Sequence, residues 1–328
     1  MRNYIIKRIL LSILILFCVT FIIYAVLRCL PASYVETMAM QLSAAPGAKP
    51  YDEWIAQLNA SYGLDKGIIA GWLTWLQDFA TGHFGDSWKF TVPVIEKFND
   101  VIWLSFVMGA IALVLELLIA IPLGIIAATK QYSRADYAIT AGALIGISLP
   151  PFFFATLLKL VFAVKLQWFD VSGLVGRTYA QLDSWGQFMD KANHLFLPIV
   201  TLVITSIGAL MRYTRTNMLE VLNADYIRTA RAKGLSESKV IYKHAFRNTL
   251  IPLVTIIGGS LPGLFTGALI TETLFSIPGM GYTSYQAMVI GDIPFSMFYM
   301  TFIAVLTLLS NLLTDIVYAV VDPRVRIA

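Results

Sequence analysis

Six stretches of this chain are apolar for long enough to cross a hydrocarbon core as helices, and that fact limits the fold more than any motif. A core about 30 Å thick takes roughly 20 helical residues. The runs near 9–30, 101–129, 138–164, 196–215, 249–271 and 296–321 each approach or exceed that length. A lipid-facing backbone must satisfy its own hydrogen bonds, and these runs are too long and too uniformly apolar for barrel strands. The fold expected is therefore all-α: a polytopic membrane protein with six transmembrane helices. Composition agrees, since 58% of the residues are hydrophobic and 13% charged, against roughly 25% charged in a soluble domain. Mean hydropathy is +0.72.

Charge placement tests the count. With the N-terminus inside, the cytoplasmic pieces are 1–8, 130–137, 212–248 and 322–328, and they hold 15 of the 24 Lys and Arg residues. The same pieces hold only five acids: Asp136, Glu220, Asp225, Glu237 and Asp322. This is the positive-inside bias, and one miscounted span would break the alternation. Both termini are thus expected in the cytoplasm. The net charge of +4 gives no continuous basic face, so nucleic acid is not an expected partner, whereas membrane lipid is. The first run follows Arg2, Lys7 and Arg8 like a signal peptide. It is too long for a secretory apolar region and lacks a small-x-small cleavage pattern, so it is read as an uncleaved span.

The domain plan that follows is 1–30 for the N-terminus and first helix, 31–100 for a sizeable outward-facing segment, and 101–328 for a five-helix core containing a cytoplasmic loop at 216–248. In the outward segment, short amphipathic helices are expected near Tyr51–Tyr62 and Ile68–Phe79, between turn signals at Pro46-Gly47, Gly63, Gly82 and Gly85. Trp54, Trp72, Trp75 and Trp88 suit a cap that packs at the membrane surface, and an aromatic-lined peptide site is the alternative there. Cys18 and Cys29 lie eleven residues apart, about 16 Å along a helix, too far for a mutual disulfide.

The cytoplasmic loop between the fourth and fifth spans carries the most information. Asp225 can cap a short helix, Gly234 can supply its left-handed end, and Ser236 can start a second helix running toward the fifth span. Such a pair has the shape of a docking element, and a solvated basic loop that merely fixes orientation is the plainer alternative.

At this loop the sequence resembles the membrane permeases of bacterial binding-protein-dependent ABC importers, in their oligopeptide, dipeptide and nickel branch, first-subunit type. The stretch that carries the likeness is Asp225, Tyr226, Ile227, Arg228, Thr229, Ala230, Arg231, Ala232, Lys233, Gly234 and Leu235, followed by His244, Ala245, Arg247, Asn248 and Pro252. The wider superfamily opens this loop with Glu-Ala-Ala; here Arg228, Thr229 and Ala230 stand in those places, as is usual in the peptide branch. Further strings follow at family spacing: Tyr4 to Leu10, Tyr62-Gly63-Leu64-Asp65, Gly82 to Ser87, Ser148 to Phe152, Glu272 to Gly281, and Asp322 to Arg326. The family's Pro-Gly-Asp-Pro after the first span is reduced to Pro31-Ala32.

The resemblance implies a non-catalytic permease subunit of the bacterial inner membrane that forms half of a peptide pathway. It implies as partners a homologous second permease, two ATP-binding subunits that hold ATP and Mg, and an extracytoplasmic substrate-binding protein. Asp225, Tyr226, Arg228, Thr229, Ala230, Arg231, Gly234 and Leu235 would form the ATPase-coupling loop. Glu272, Pro278, Gly279 and Gly281 would form an outward motif. Importers of nickel complexes belong to the same branch.

The chain itself carries no phosphate-binding loop and no HExxH pattern, so neither ATP hydrolysis nor metalloprotease chemistry is expected of it. His83, His194 and His244 are too scattered for a joint metal site, and neither a metal nor a cofactor is expected. Within the spans an unpaired charge is costly, so Glu116 and Asp315 either line a pathway or bond to neighbouring helices. They would be the coupling groups of a rival reading, an ion- or proton-coupled secondary transporter. Lys159 is placed to snorkel. Gly258, Gly259, Gly263 and Gly267, with Pro262, offer either close helix packing or a moving, pathway-lining part. Pro150-Pro151 should interrupt the third span.

Overall fold

The arrangement of the spans was obtained from a computed structural model, which describes residues 2–30 and 34–321. Pro31-Ala32 and the string from Asp322 to Arg326 lie outside the described residues. Among the described residues, four helices are long and apolar enough to cross a membrane: Ile6–Arg28, Val94–Thr129, Ser184–Leu222 and Ile293–Ile316. Two bent pairs, Arg134–Ser148 with Pro151–Lys165 and Lys239–Leu250 with Pro252–Thr266, raise the number to as many as six if each pair is one span. The protein is thus an all-α polytopic membrane protein, and the chain divides into two compact units.

The first unit comprises Met1–Trp103 and Met280–Leu309. Helix α1 (Arg2–Arg28) is followed by α2 (Tyr34–Ser43), α3 (Tyr51–Ser61) and α4 (Ile68–Ala80). The two short helices expected from amphipathic spacing are α3 and α4, while α2 was not anticipated. Trp72 of α4 is a core residue, 4% exposed. Its ring meets Phe17 and Phe21 of α1 edge-on, and its indole N–H donates to Thr20 Oγ1 at 3.4 Å. Arg28 ends α1 by donating from Nη2 to the carbonyls of Leu64 at 2.7 Å and Lys66 at 3.2 Å, which ties the first helix to the segment preceding α4. Cys18 and Cys29 are both free and exposed. Ser87, from the Gly82-to-Ser87 string, donates its hydroxyl to the buried Asp292 carboxylate. That carboxylate also accepts the N–H groups of Lys89 at 3.0 Å and Phe295 at 3.2 Å, so one buried acid holds a loop and satisfies an orphan donor at a helix start.

The second unit comprises Leu104–Gly279 and Ser310–Ala328. It takes most of α5 (Val94–Thr129), then α6 (Arg134–Ser148), α7 (Pro151–Leu158), a π-helical turn (Lys159–Lys165), α8 (Ser184–Leu222), α9 (Asp225–Ala232), a second π-helical segment (Lys239–Phe246), α10 (Arg247–Thr266) and α11 (Leu269–Phe275). Helix α12 (Met280–Val289) and the first part of α13 (Ile293–Val321) belong to the first unit. The third run is not one straight helix. It turns by 101° between Ser148 and Pro151, because a proline N–H is missing and its ring bars the preceding residue from helical torsions.

Of the glycines anticipated at close helix approaches, Gly258 of α10 makes one, its Cβ position falling against Thr314 of α13; others fall at glycines not singled out. A Cβ at Gly208 of α8 would lie 2.5 Å from the Ala143 carbonyl of α6, and one at Gly124 of α5 would lie 2.6 Å from Thr214 of α8. Gly259 and Gly263 have nothing within 4 Å of that position. Gly267 adopts φ +73° and ends α10, so Gly263 and Gly267 do not share one helix face, and the fifth run stops at Thr266 instead of 271. Its 48° bend falls at Pro252, not at Pro262.

Candidate functional site

Helix α9 is built for presentation. Ile227 and Ala230 are buried with Met218 of α8, Val240 and Ala245 of the π segment, and Ile125 and Ala128 of α5. Leu235 packs against the same cluster. Tyr226, Arg228 and Thr229 are exposed on the other face. An eight-residue helix is too short to persist in water alone, so this apolar seat holds it. Asp225 is the first helical residue; the capping position belongs to Ala224, with no side-chain cap. The Asp225 carboxylate instead lies 3.5 Å from Arg228. Gly234 adopts φ +73° immediately after the helix, the left-handed torsion that lets the chain reverse toward the π segment.

Arg228 and Arg231, both on α9, differ in their partners. Arg231 is engaged within the chain, donating from Nη2 to Glu237 Oε1 at 2.8 Å and from Nε to Oε2 at 3.3 Å. The hydrogen bonds from Arg231 hold the Glu237 carboxyl below its usual range and raise the guanidinium in turn. Arg228, with a side chain 73% exposed, is the outward cation of α9.

A second feature of this unit is a cavity of about 330 Å³ among α5, α8 and α10. Ser105, Glu116, Thr205, Ser206, Ser260 and Gly263 are among its lining residues. The Ser206 hydroxyl donates back to the carbonyls of Leu202 at 2.9 Å and Val203 at 3.2 Å. Gly259 and Asp315 are not among the lining residues. Lys159 does not snorkel: its ammonium donates to the Leu274 carbonyl at 2.6 Å and sits 5.7 Å above the Phe275 ring, a favourable place for a cation at the C-terminus of α11.

The motif from Glu272 onward forms a tight buried turn. Glu272 is fully buried; its Oε1 accepts from Ser105 Oγ at 2.8 Å and from the Ala268 N–H at 3.0 Å. Ser276 takes a left-handed torsion at the end of α11, and the Ile277 N–H donates back to the Glu272 carbonyl at 2.8 Å. Gly279 lies against the Glu272 carboxyl so closely that a Cβ there would fall 2.5 Å from its carbon. Pro278 is exposed, and Gly281 lies buried in α12 of the other unit.

Two groupings escaped sequence reasoning. Asp136 at the start of α6 receives a bidentate bond from Arg215 of α8, both distances 2.8 Å, with the Tyr132 N–H at 3.0 Å and Thr140 Oγ1 at 3.2 Å. No local spacing announces a pair 79 residues apart. Asp170, Asp190 and His194 also come together; the one local signal that could have pointed to them is the four-residue step from Asp190 to His194 on α8. His83 is hydrogen-bonded to Thr81, and His244 lies in the π segment.

Comparison with known proteins agrees with this architecture. Residues 120–327 match the family described as binding-protein-dependent transport system inner membrane component. An oligopeptide transport system permease protein, AppB of Bacillus subtilis (strain 168), is 36% identical over 327 residues, 99% of this chain and 100% of that protein. The dipeptide transport system permease protein DppB of Escherichia coli (strain K12) is 34% identical over 342 residues, 99% of each chain. A solved inward-facing structure of the MetNI methionine ABC transporter shares the fold, with TM-score 0.54, 16% identity, and coverage of 70% of this chain and 97% of that one. The chain belongs to the binding-protein-dependent transport system inner membrane component family.

Proposed function

We propose that this family member is the permease subunit of an ATP-driven peptide importer, and that it forms half of a translocation pathway with a homologous second permease. In this reading the chain has six spans, each bent pair counting as one, with both termini in the cytoplasm and 31–100 outside. The residues 101–328 form the permease core, and 216–248 is its coupling loop.

The observation that carries the proposal is α9. A short helix with a buried apolar seat and an exposed face bearing Tyr226, Arg228 and Thr229 is what a coupling element requires. An ATPase surface pressing on that face would move α9 against the cluster of Met218, Val240 and Ala245, and so load α8 and α10 together. ATP and Mg, held on the partner ATPases, supply the energy. A substrate-binding protein would deliver peptide from outside, and the cavity beside Glu116 and Gly263 would be part of the path. Coupling is then a two-state element biased from both ends.

The test is co-isolation followed by transport. The chain should purify with two ATP-binding subunits and a second permease, and proteoliposomes should take up peptide only with ATP and binding protein present. Uptake driven by an imposed ion gradient without ATP would instead support a secondary transporter, with Glu116 and Asp315 as coupling groups. Retention of a nickel complex by the cognate binding protein would move the substrate to the other half of the branch.

A further inference from the structure

The segment between the π-helical turn ending at Lys165 and helix α8 closes on itself through three side chains that coupling does not use. Asp170 and Asp190 place carboxylate oxygens around His194, and one ligand atom from each of the three residues lies within 4.8 Å of the others. The His194 side chain is 2% exposed, with Nε2 3.6 Å from Asp170 Oδ2.

The tautomer follows from geometry. His194 Nδ1 lies 2.8 Å from the Asp190 carbonyl oxygen, which can only accept, so Nδ1 carries the proton. Nε2 is then the ring nitrogen that faces the Asp170 carboxylate, and Asp190 Oδ2 lies 3.8 Å from Nδ1. A ring nitrogen and a carboxylate oxygen 3.6 Å apart are too far for a hydrogen bond and leave room for a cation between them. A histidine that donates one ring N–H to a backbone carbonyl and leaves the other nitrogen bare is in the form in which histidine binds metal.

The surroundings hold the other two ligands in place. Asp190 Oδ2 accepts the Gly176 N–H at 2.8 Å. A Cβ at Gly176 would lie 2.7 Å from Asp190 Oδ1, so only glycine lets the loop approach this carboxylate. Asn193, next to His194, accepts the Asp170 N–H at 3.0 Å and donates to the Trp168 carbonyl at 3.3 Å. Second-shell bonds of this kind orient ligands before the ion arrives.

We propose that Asp170, Asp190 and His194 form a binding site for a divalent transition cation of the zinc class. One imidazole and two carboxylates suit zinc with a water as fourth ligand, whereas calcium takes six or more oxygens. Bonds of ~2.1 Å set tetrahedral ligand atoms about 3.4 Å apart. The small closure needed falls on Asp170, whose side chain is 54% exposed and free to turn. The ion would staple residues 166–183 to the first turns of α8. The same loop donates the Gly173 N–H to the Phe275 carbonyl at 2.8 Å, so the staple would also steady the end of α11, three residues beyond Glu272.

The test uses the assembled, nucleotide-free complex of full-length subunits, without a polyhistidine tag and stripped with EDTA. Zinc is titrated in competition with a chromophoric chelator, and thermal unfolding is followed with and without zinc. The wild-type complex should bind one zinc per permease more than a complex carrying His194→Gln, and zinc should raise its unfolding temperature in a concentration-dependent way. Asp170→Asn, at an exposed position, should assemble normally and weaken that binding at least tenfold, which keeps the proposal testable if His194→Gln fails to assemble. Equal zinc stoichiometry in wild type and His194→Gln, or wild-type zinc affinity in Asp170→Asn, would overturn it.

Discussion

Gly234 allows the proposed coupling role of α9 to be separated from its folding. Its φ of +73° lies in the left-handed region, and nothing stands within 4 Å of where a Cβ would be. Any L-residue other than asparagine or aspartate therefore meets the same backbone cost, roughly 1–2 kcal/mol, and no steric cost from this chain. Gly234→Ala and Gly234→Trp should lower the stability of the free subunit by equal amounts, and Gly234→Asn by less. At about 1.4 kcal/mol the turn would be displaced tenfold toward misfolded forms, a modest loss for a helix seated on Ile227 and Ala230. The difference between Ala and Trp then reports only what another subunit brings to that surface. In reconstituted complexes, Gly234→Ala should retain most peptide-stimulated ATP hydrolysis and uptake. Gly234→Trp should lose uptake by tenfold or more, through failed ATPase binding or through hydrolysis without transport. If the two variants transport equally well at equal stability, no ATPase surface approaches this turn and the docking assignment fails.

Removing the carboxylate by Asp136→Ala strands the half-buried Arg215 guanidinium and the Tyr132 N–H, and should cost about 3 kcal/mol; a fall in unfolding temperature of under a degree in detergent would refute the pair's importance. Gly279→Ala forces a methyl to within 2.5–2.7 Å of the Glu272 carboxyl and should destabilise by roughly 1–3 kcal/mol. Its control, Gly263→Ala in α10, meets nothing and should be neutral or stabilising by up to ~1 kcal/mol. Glu237 has a folded pKa below its ordinary 4.5, so its bond to Arg231 contributes fully above that value and is lost as pH falls through the lower folded one. Because both groups are exposed, the contribution should stay below about 1 kcal/mol. Titrating wild type against Glu237→Gln between pH 3 and 6 should therefore show a small difference that vanishes at the acid end, and a difference growing toward acid would reverse the assignment.

Hydrophobic run length gave the helices because a membrane leaves the backbone no alternative, and the amphipathic spacing of 51–62 and 68–79 gave α3 and α4 for the same local reason. What local pattern did not carry was pairing. Gly208 and Gly124 look no different in sequence from Gly259 and Gly263, yet only the former sit where another helix passes. The distinction depends on how α6 and α8 cross, and the 101° turn at Pro150-Pro151 helps to decide that. Arg231 illustrates the same limit. A three-residue step puts Arg231 on the same helix side as Arg228, but Glu237, beyond the Gly234 turn, reaches back to claim it. Spacing along one helix is legible; a partner delivered by the next turn is not.

The second unit places α9 and the buried Glu272 turn at either end of one continuous stretch of chain, and its packing suggests why a push at one end could be felt at the other. The seat of α9 is formed by the fully buried Met218, Val240 and Ala245, so α9 has little room to yield without carrying α8 and the π segment. Interiors packed this way move in discrete steps and do not compress smoothly. Further along, α10 is held where a Cβ at Gly258 would meet Thr314 and where Ser310 donates to the Gly258 carbonyl. Beyond that point constraint falls away: Gly259 and Gly263 touch nothing at their Cβ positions, and the cavity opens beside Glu116. Helix α10 ends at Gly267, and the Ala268 N–H is already committed to Glu272. A rigid input, a held midpoint, a vacant flank and a pinned exit together direct any displacement of α10 into the cavity. On the proposed function, that is where a change of shape opens or closes the path.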